Sequence, residues 1–386
     1  MTLYDLIIEE LRHRGIAYVR RFAPVYIASV GAHLLNLHNR EHRIYYELGR
    51  VPDLRAHIMF VAPPGFSKSL IMEQFLRGDH ALLRDSGIET AYEGTMTEAG
   101  FVGTKRFNQG EVIDIEGAAF EHRKAILGVE EFSALASMMR AQHSSTLDAA
   151  FLNALDHGWL AKRLAAGKIY YRTFLTLWAG TQPMRFDLSS GLARRFVFIC
   201  FIPTAQERQV IKTARRKARG RRFSVHRTLQ IRAALRKVVV DVNDISEVAW
   251  PEQLYRLLDC YDIPHYEEAL YERIALGYAL MNQPVQRKLT VKWDSELENI
   301  MKRIIYWRAQ AKFGAQYAQV IMLIHEYGGT IKLESLYRAL LYYGLDARQT
   351  DALVQDLLRM KILRLVAGEV QLTGKYGVQN EDERKL

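Results

Sequence analysis

The stretch "HIMFVAPPGFSKSLIMEQFL", His57 to Leu76, constrains the fold more than any other part of the chain. An apolar strand runs into a proline- and glycine-containing turn, then Lys-Ser, then an apolar helix. That is the outline of a phosphate-binding loop, G-x-x-x-x-G-K-[ST], with Ala62 and Ser67 at the two glycine positions. Such a loop works because a tight turn aims backbone N–H groups at phosphates and the helix N-terminus adds a favourable field. Pro64, Gly65, Phe66 and Ser67 would cradle the phosphates, Lys68 would reach the β- and γ-phosphates, and Ser69 would hold Mg²⁺. Ser67 is tolerable wherever its dihedrals are ordinary. The plainer reading is a strand–loop–helix unit with a chance Lys-Ser.

The surrounding sequence fits a layered α/β core. "KAILGVEEF", "IYYRTFLTLWAGTQP" and "RRFVFICFIP" read as strands, while "SLIMEQFL" and "STLDAAFLNALDHGWL" read as helices. Strands alternating with helices over residues 51–204 predict a three-layer α/β core. Residues 1–50 read as a short helical segment packed against that α/β region. Residues 205–308 read as a basic segment and a helical lid. Within 309–375, three helical patterns precede "LRLVAGEVQLT", a hairpin with Gly368 near its turn; Asp346 is placed to cap the third helix. This is the outline of a winged helix. Residues 376–386 form a polar tail.

A chain of 386 residues that is 49% hydrophobic can build two or three cores. Its net charge of +10 points to a polyanionic partner, nucleic acid first, with general solubility charge as the plainer account. The stretch 207–237 holds twelve Lys or Arg and one acid, which suits contact with phosphate backbone or, more simply, a solvated helix. Cys200 and Cys260 support neither a disulfide framework nor a cysteine-rich zinc site. "MTLYDLIIEELRHRG" does not read as a secretory signal, and no run approaches 18 apolar residues. The expectation is a cytoplasmic protein with no membrane partner.

Three further motifs carry chemistry. "AILGVEEFSAL" puts Glu130 and Glu131 at a strand end. A nucleotide hydrolase needs an acid near Mg²⁺, the expected role of Glu130, and a carboxylate that polarises water, the expected role of Glu131. The alternative is a pair of surface acids. "LTLWAGTQP" offers Thr181 or Gln182 to sense a γ-phosphate or orient water; otherwise it is a turn before Pro183. "SSGLARRFVFI" puts Arg194 and Arg195 ahead of a strand, where one arginine can project across a subunit interface or merely flank the strand.

In order and spacing these pieces resemble the AAA+ ATPases, and among them the minichromosome maintenance (MCM) replicative helicases. "APPGFSKS" is similar to the family loop G-D-P-G-x-A-K-S, so Ser67 looks like a family variant. "VEEF" at 129–132 resembles I-D-E-F, and "WAGTQP" resembles A-A-A-N-P with Gln182 at the asparagine. "ARRFVF" resembles S-R-F-D, which makes Arg195 the arginine finger. "WLAKRLAAGKIYYRT" occupies the place of a DNA-contacting hairpin, with Lys162, Arg163 and Lys168 as candidate contacts; the family lysine falls near an alanine here. "LYERIALGYAL" resembles the segment after the second sensor arginine, with Arg273 as its candidate.

The resemblance covers roughly 51–375 and departs from the family in three ways. About 50 residues precede the ATPase-like region instead of a large DNA-binding domain. Glu130 replaces an aspartate, and Gln182 replaces an asparagine. The resemblance implies a P-loop AAA+ ATPase core with a helical lid and a C-terminal winged helix, in a divergent archaeal or mobile-element relative. It implies ATP and Mg²⁺ as cofactors, a homo-oligomeric ring, most simply a hexamer, and single-stranded or unwinding DNA as partner. The implied activity is ATP-dependent DNA translocation or unwinding in DNA replication. A weak or inactive DNA-binding assembly protein with the same fold, and a replication initiator or helicase loader, are the alternatives.

Overall fold

All five residues of the strand His57–Val61 are buried, as a strand covered on both faces requires. The computed structural model describes residues 2–46, 49–50, 53–63, 68–94, 97–108, 111–132, 145–182, 195–201, 203, 205–218, 224–312, 320–321, 323–324, 327–342, 346–359 and 361–373. Ahead of the buried strand come helices α1 (Leu3–His13) and α2 (Val19–His38) and short strands β1 (Tyr45–Tyr46) and β2 (Gly49–Arg50). The buried strand is β3. It is followed by α3 (Lys68–Leu76), β4 (Thr90–Glu93), α4 (Glu98–Val102), β5 (Gly103–Asn108), β6 (Glu111–Glu116), α5 (Ala118–Glu121) and β7 (Ile126–Val129). Then come α6 (Ser145–Asp156), β8 (Trp159–Leu164), β9 (Gly167–Arg172), β10 (Thr176–Thr181) and β11 (Phe196–Cys200).

Five of these strands form one parallel sheet in the order β11-β3-β10-β7-β4. Counted along the chain that order is 5-1-4-3-2: β10 lies between the strand that leads to Lys68 and the strand that leads to Glu130. Register is set at both ends, with Phe196 opposite His57 and Thr181 opposite Val61. β5–β6 and β8–β9 are antiparallel hairpins outside the sheet.

Both faces are covered by aromatic packing. On one, Phe22 and Tyr26 of α2 and Phe75 of α3 meet Phe60 and Trp178. On the other, Phe101, Phe132, Phe151 and Phe196 form a connected row. α2 is buried on almost every side, which is the behaviour of a helix apolar all round. Its second neighbour comes from late in the chain, which continues as α7 (Ala205–Ala218), α8 (Val225–Asp241), β12 (Glu247–Ala249), α9 (Glu252–Cys260), α10 (His265–Asn282), β13 (Lys288–Thr290) and α11 (Ser295–Lys312). A Cβ on Gly31 would sit 2.2 Å from the Gly277 carbonyl oxygen, and one on Gly277 would sit 1.9 Å from that of Ala28. α2 and α10 therefore touch backbone to backbone, which only glycine permits.

α11 runs along the outer strand: the Trp307 carbonyl lies 3.5 Å from Cys200 Sγ, and Arg308 donates to the Phe196 carbonyl at 3.3 Å. The buried apolar residues from Tyr4 to Ala311 make one continuous core, so residues 205–308 share the core of the sheet. Several cations of the basic stretch serve this packing. Arg232 is buried and donates to the Asp79 and Ala81 carbonyls, Arg227 lies 3.9 Å from Glu10, and the stretch's one acid, Glu207, pairs with Arg21 of α2 at 2.8 Å. Lys212, Arg215, Arg216 and Lys217 of α7 are exposed.

A second, smaller core spans Val320 to Val370. It contains β14 (Thr330–Lys332), α12 (Leu333–Tyr342), α13 (Ala347–Arg359), β15 (Leu363–Val366) and β16 (Glu369–Leu372). Its three strands are antiparallel in the order β14-β16-β15. Ala367 and Gly368 both take positive φ, the conformation of a tight primed hairpin turn. β14 is an addition to the hairpin expected from sequence, and the first expected helix falls largely outside the described residues. Among the described residues no helix is long and apolar enough to cross a membrane.

Candidate nucleotide and nucleic-acid sites

Parallel strands end at one edge of the sheet, and the side chains placed there come from α3, β7 and β10. Lys68 opens α3 and is buried. Its side chain passes over Gly180: a Cβ there would lie 3.5 Å from Lys68 Cδ and 2.7 Å from the Glu130 carbonyl oxygen. Lys68 Nζ is 3.6 Å from Glu131 Oε2, and Gln182 Nε2 donates to the same oxygen at 3.2 Å. Three residues from three motifs thus meet at one carboxylate.

The other expected residues are placed as follows. Ser69 sits in the first turn of α3 and is half-buried. Thr181 is buried, its carbonyl accepts from Ala62 N–H at 3.1 Å, and strand alternation turns its side chain away from the Gly180 face that Lys68 crosses. Gln182, one residue on, is the member of the pair that reaches Glu131. Glu130 is exposed and stands near Tyr92 of β4, whose hydroxyl is pushed well above the usual phenol range by burial and then by the Glu130 charge. Pro64, Gly65, Phe66, Ser67, Pro183 and Arg194 lie outside the described residues. Tyr92 and Gly180 were not singled out from sequence, although "WAGTQP" contains the glycine.

Among the described residues no group of three or more His, Cys, Asp or Glu could hold a metal. A metal at this edge would have few protein ligands. Ser69 and Glu130 carry oxygen donors of the kind that Mg²⁺ takes beside water and phosphate oxygens.

The opposite edge of the sheet is a closed ionic network. Arg55, fully buried, donates to Asp53 at 2.7 and 2.9 Å and to the Ala154 and Leu175 carbonyls. Burial alone would raise the Asp53 carboxyl, but the charge and hydrogen bonds of Arg55 outweigh it and hold it below its ordinary value. Leu177 N–H donates to His57 Nδ1, so Nε2 carries the proton and donates to the Leu155 carbonyl. Burial, reinforced by Arg55, keeps that imidazole neutral. Arg273 donates to the Arg55 carbonyl at 3.2 Å, which places it at this edge and away from Lys68. Arg195, immediately before β11, is also here; it is buried and bonded to Asp156 at the end of α6.

Asp156 leads into the β8–β9 hairpin, whose two faces differ. Leu160, Lys162, Leu164, Ile169 and Tyr171 face one way. Leu160 is buried, Lys162 is half-buried and Tyr171 donates to the Val102 carbonyl at 3.0 Å. Trp159, Ala161, Arg163, Lys168, Tyr170 and Arg172 share the other face, which carries three cations, two aromatics and no acid. Charge alone, read from sequence, put Lys162 with Arg163 and Lys168; strand alternation separates it from them and adds Trp159, Tyr170 and Arg172. The neighbouring β5–β6 hairpin packs against the turn through Lys105, which also pairs with Asp114 at 2.7 Å.

No protein-family model matches the chain, and a search of curated proteins finds no similar one.

Proposed function

We propose that the chain is an ATP-dependent DNA translocase or helicase of the MCM-like AAA+ type, acting as a homo-oligomeric ring. The observation that carries this reading is the convergence of Lys68, Glu131 and Gln182 at the strand-end edge of a 5-1-4-3-2 parallel sheet. Lys68 would neutralise phosphate charge, Glu131 would polarise the attacking water, and Gln182 would orient that carboxylate. Mg²⁺ between Ser69, Glu130 and the phosphates would supply charge stabilisation.

As the expected arginine finger, Arg195 would have to exchange Asp156 for a neighbouring protomer's nucleotide. It stands at the start of β11, one strand length from Lys68, roughly 15 Å along the sheet. That distance keeps it from the Lys68 edge of its own chain, so any nucleotide it met would belong to a neighbouring protomer. The exposed cations of α7 and the basic hairpin face would make the contact with a polyanion to which the charge of +10 points. The small C-terminal core fits the winged-helix outline.

Steady-state ATP hydrolysis with and without DNA is the test. DNA-stimulated turnover that disappears in Lys68→Ala is expected. Absence of turnover under every DNA condition overturns the ATPase reading in favour of a DNA-binding assembly protein. Turnover without movement along a tailed duplex points to an initiator or loader.

A further inference from the structure

The outward face of the β8–β9 hairpin is built as a stack. Lys168 Nζ lies 4.4 Å from the centroid of the Tyr170 ring. Tyr170 stacks on Trp159 with centroids 5.1 Å apart and planes 15° from parallel. Arg172 comes next, 5.6 Å from the Trp159 ring and 4.8 Å from that of Phe174. Tyr170 is 58% and Trp159 40% exposed, a large outlay of aromatic surface to solvent. Arg163 flanks the stack, and the face has no acid to neutralise its three cations. The opposite face is anchored by Leu160 and Tyr171, so the platform is held on a fixed strand pair.

We infer that this face binds single-stranded nucleic acid by base stacking, with a base displacing the Lys168 ammonium from the Tyr170 ring. The released ammonium meets the phosphate of the same nucleotide, and Arg163 meets the next. Every base has a π-face, so the contact tolerates any sequence, and it excludes paired duplex, whose bases are already stacked. Sequence-independent cations give affinity through the backbone, whereas the ring adds a contact that a backbone alone cannot satisfy. The inference rests on the nucleic-acid half of the proposed function and is independent of ATP turnover.

The test is binding of the full chain to four labelled probes: oligothymidine, the same length of single-stranded RNA, a strand of abasic sites, and a blunt duplex. Tyr170→Ala is expected to weaken binding of the first two by roughly 5- to 150-fold and to leave the abasic strand and the duplex unchanged. Tyr170→Phe should retain wild-type affinity. Lys168→Ala should lower the salt dependence by about one counterion for every probe that binds. Equal weakening of the abasic and base-bearing strands in Tyr170→Ala overturns the inference, as does a wild-type preference for duplex or binding to none of the probes; the last result would leave the face to a protein partner. The same measurements in Lys68→Ala separate the two readings. Tyr170-dependent binding without any ATPase in the wild type leaves the stacking site standing while the ATPase falls.

Discussion

The two edges of the central sheet carry charged side chains on the same strands and treat them in opposite ways. At the edge near His57, Arg55 is fully buried, Asp53 and Arg273 are half-buried, and the three bond to one another or to carbonyls. At the edge near Val61, Glu130 is exposed, and Glu131 receives both Lys68 and Gln182 with side-chain surface left open. A buried network whose partners are all internal has no capacity for a ligand, and its role is to hold strands in register. A lysine and an acid brought together from separate elements at an accessible edge can exchange each other for a ligand. The comparison separates scaffold from site where a count of charged residues would not.

That contrast can be broken experimentally. The largest effect belongs to the open edge: Glu131→Gln should lower turnover by about 10²–10⁴-fold, the range for loss of a positioned base, with little change in melting temperature. At the closed edge the effect should appear in stability instead. Arg55→Ala strands Asp53 without its partner and should cost about 3–5 kcal/mol, read as a lower denaturant midpoint. Activity lost without a stability change in Arg55→Ala would reverse the assignment of the two edges. Gly180→Val should do both, since a Cβ meets the Glu130 carbonyl and crowds Lys68; about 1–3 kcal/mol and a drop in turnover are expected.

The last contrast is a pH dependence of the closed edge. His57 is held well below its ordinary value and His33 down to about 3, each chiefly by burial. Both are neutral when folded and take a proton in the unfolded chain below roughly pH 6.5. Their stabilisation is complete above that value and declines as pH falls below it, by up to about 1.4 kcal/mol per unit for each imidazole. A melting temperature that stays constant from pH 7 to about 5 would show that they are not neutral in the fold.

Much of the sheet was legible from local pattern. "HIMFV", "ILGV" and "FVFIC" are short apolar runs that read as buried strands and form them, and roles for the residues after the first two were read from their chemistry. Strand order was not legible, because the position of β10 between β3 and β7 depends on pairings between distant segments. The β5–β6 hairpin was missed for a different reason: "EVIDIE" sets Val112 beside Ile113 and so breaks the alternation of a half-buried strand, in keeping with the exposure of all six residues. For β8–β9 the alternation was present in "WLAKRL", and reading charge ahead of period put Lys162 with the wrong neighbours. Arg273 could not be placed from sequence at all, since its partner Arg55 lies more than half the chain away.

The contact between Gly31 and Gly277 has a consequence for the order in which the molecule is made. About 250 residues of chain lie between these two glycines, so their pairing is among the most non-local in the fold. At about 5–20 residues per second, a ribosome needs roughly 12–50 s to pass from one to the other. During that interval α2 can meet Phe60 and Trp178 but has nothing to cover its α10 side. The nascent chain therefore carries an apolar helix face that waits on its own last third, which makes that face a natural client surface for a chaperone during synthesis.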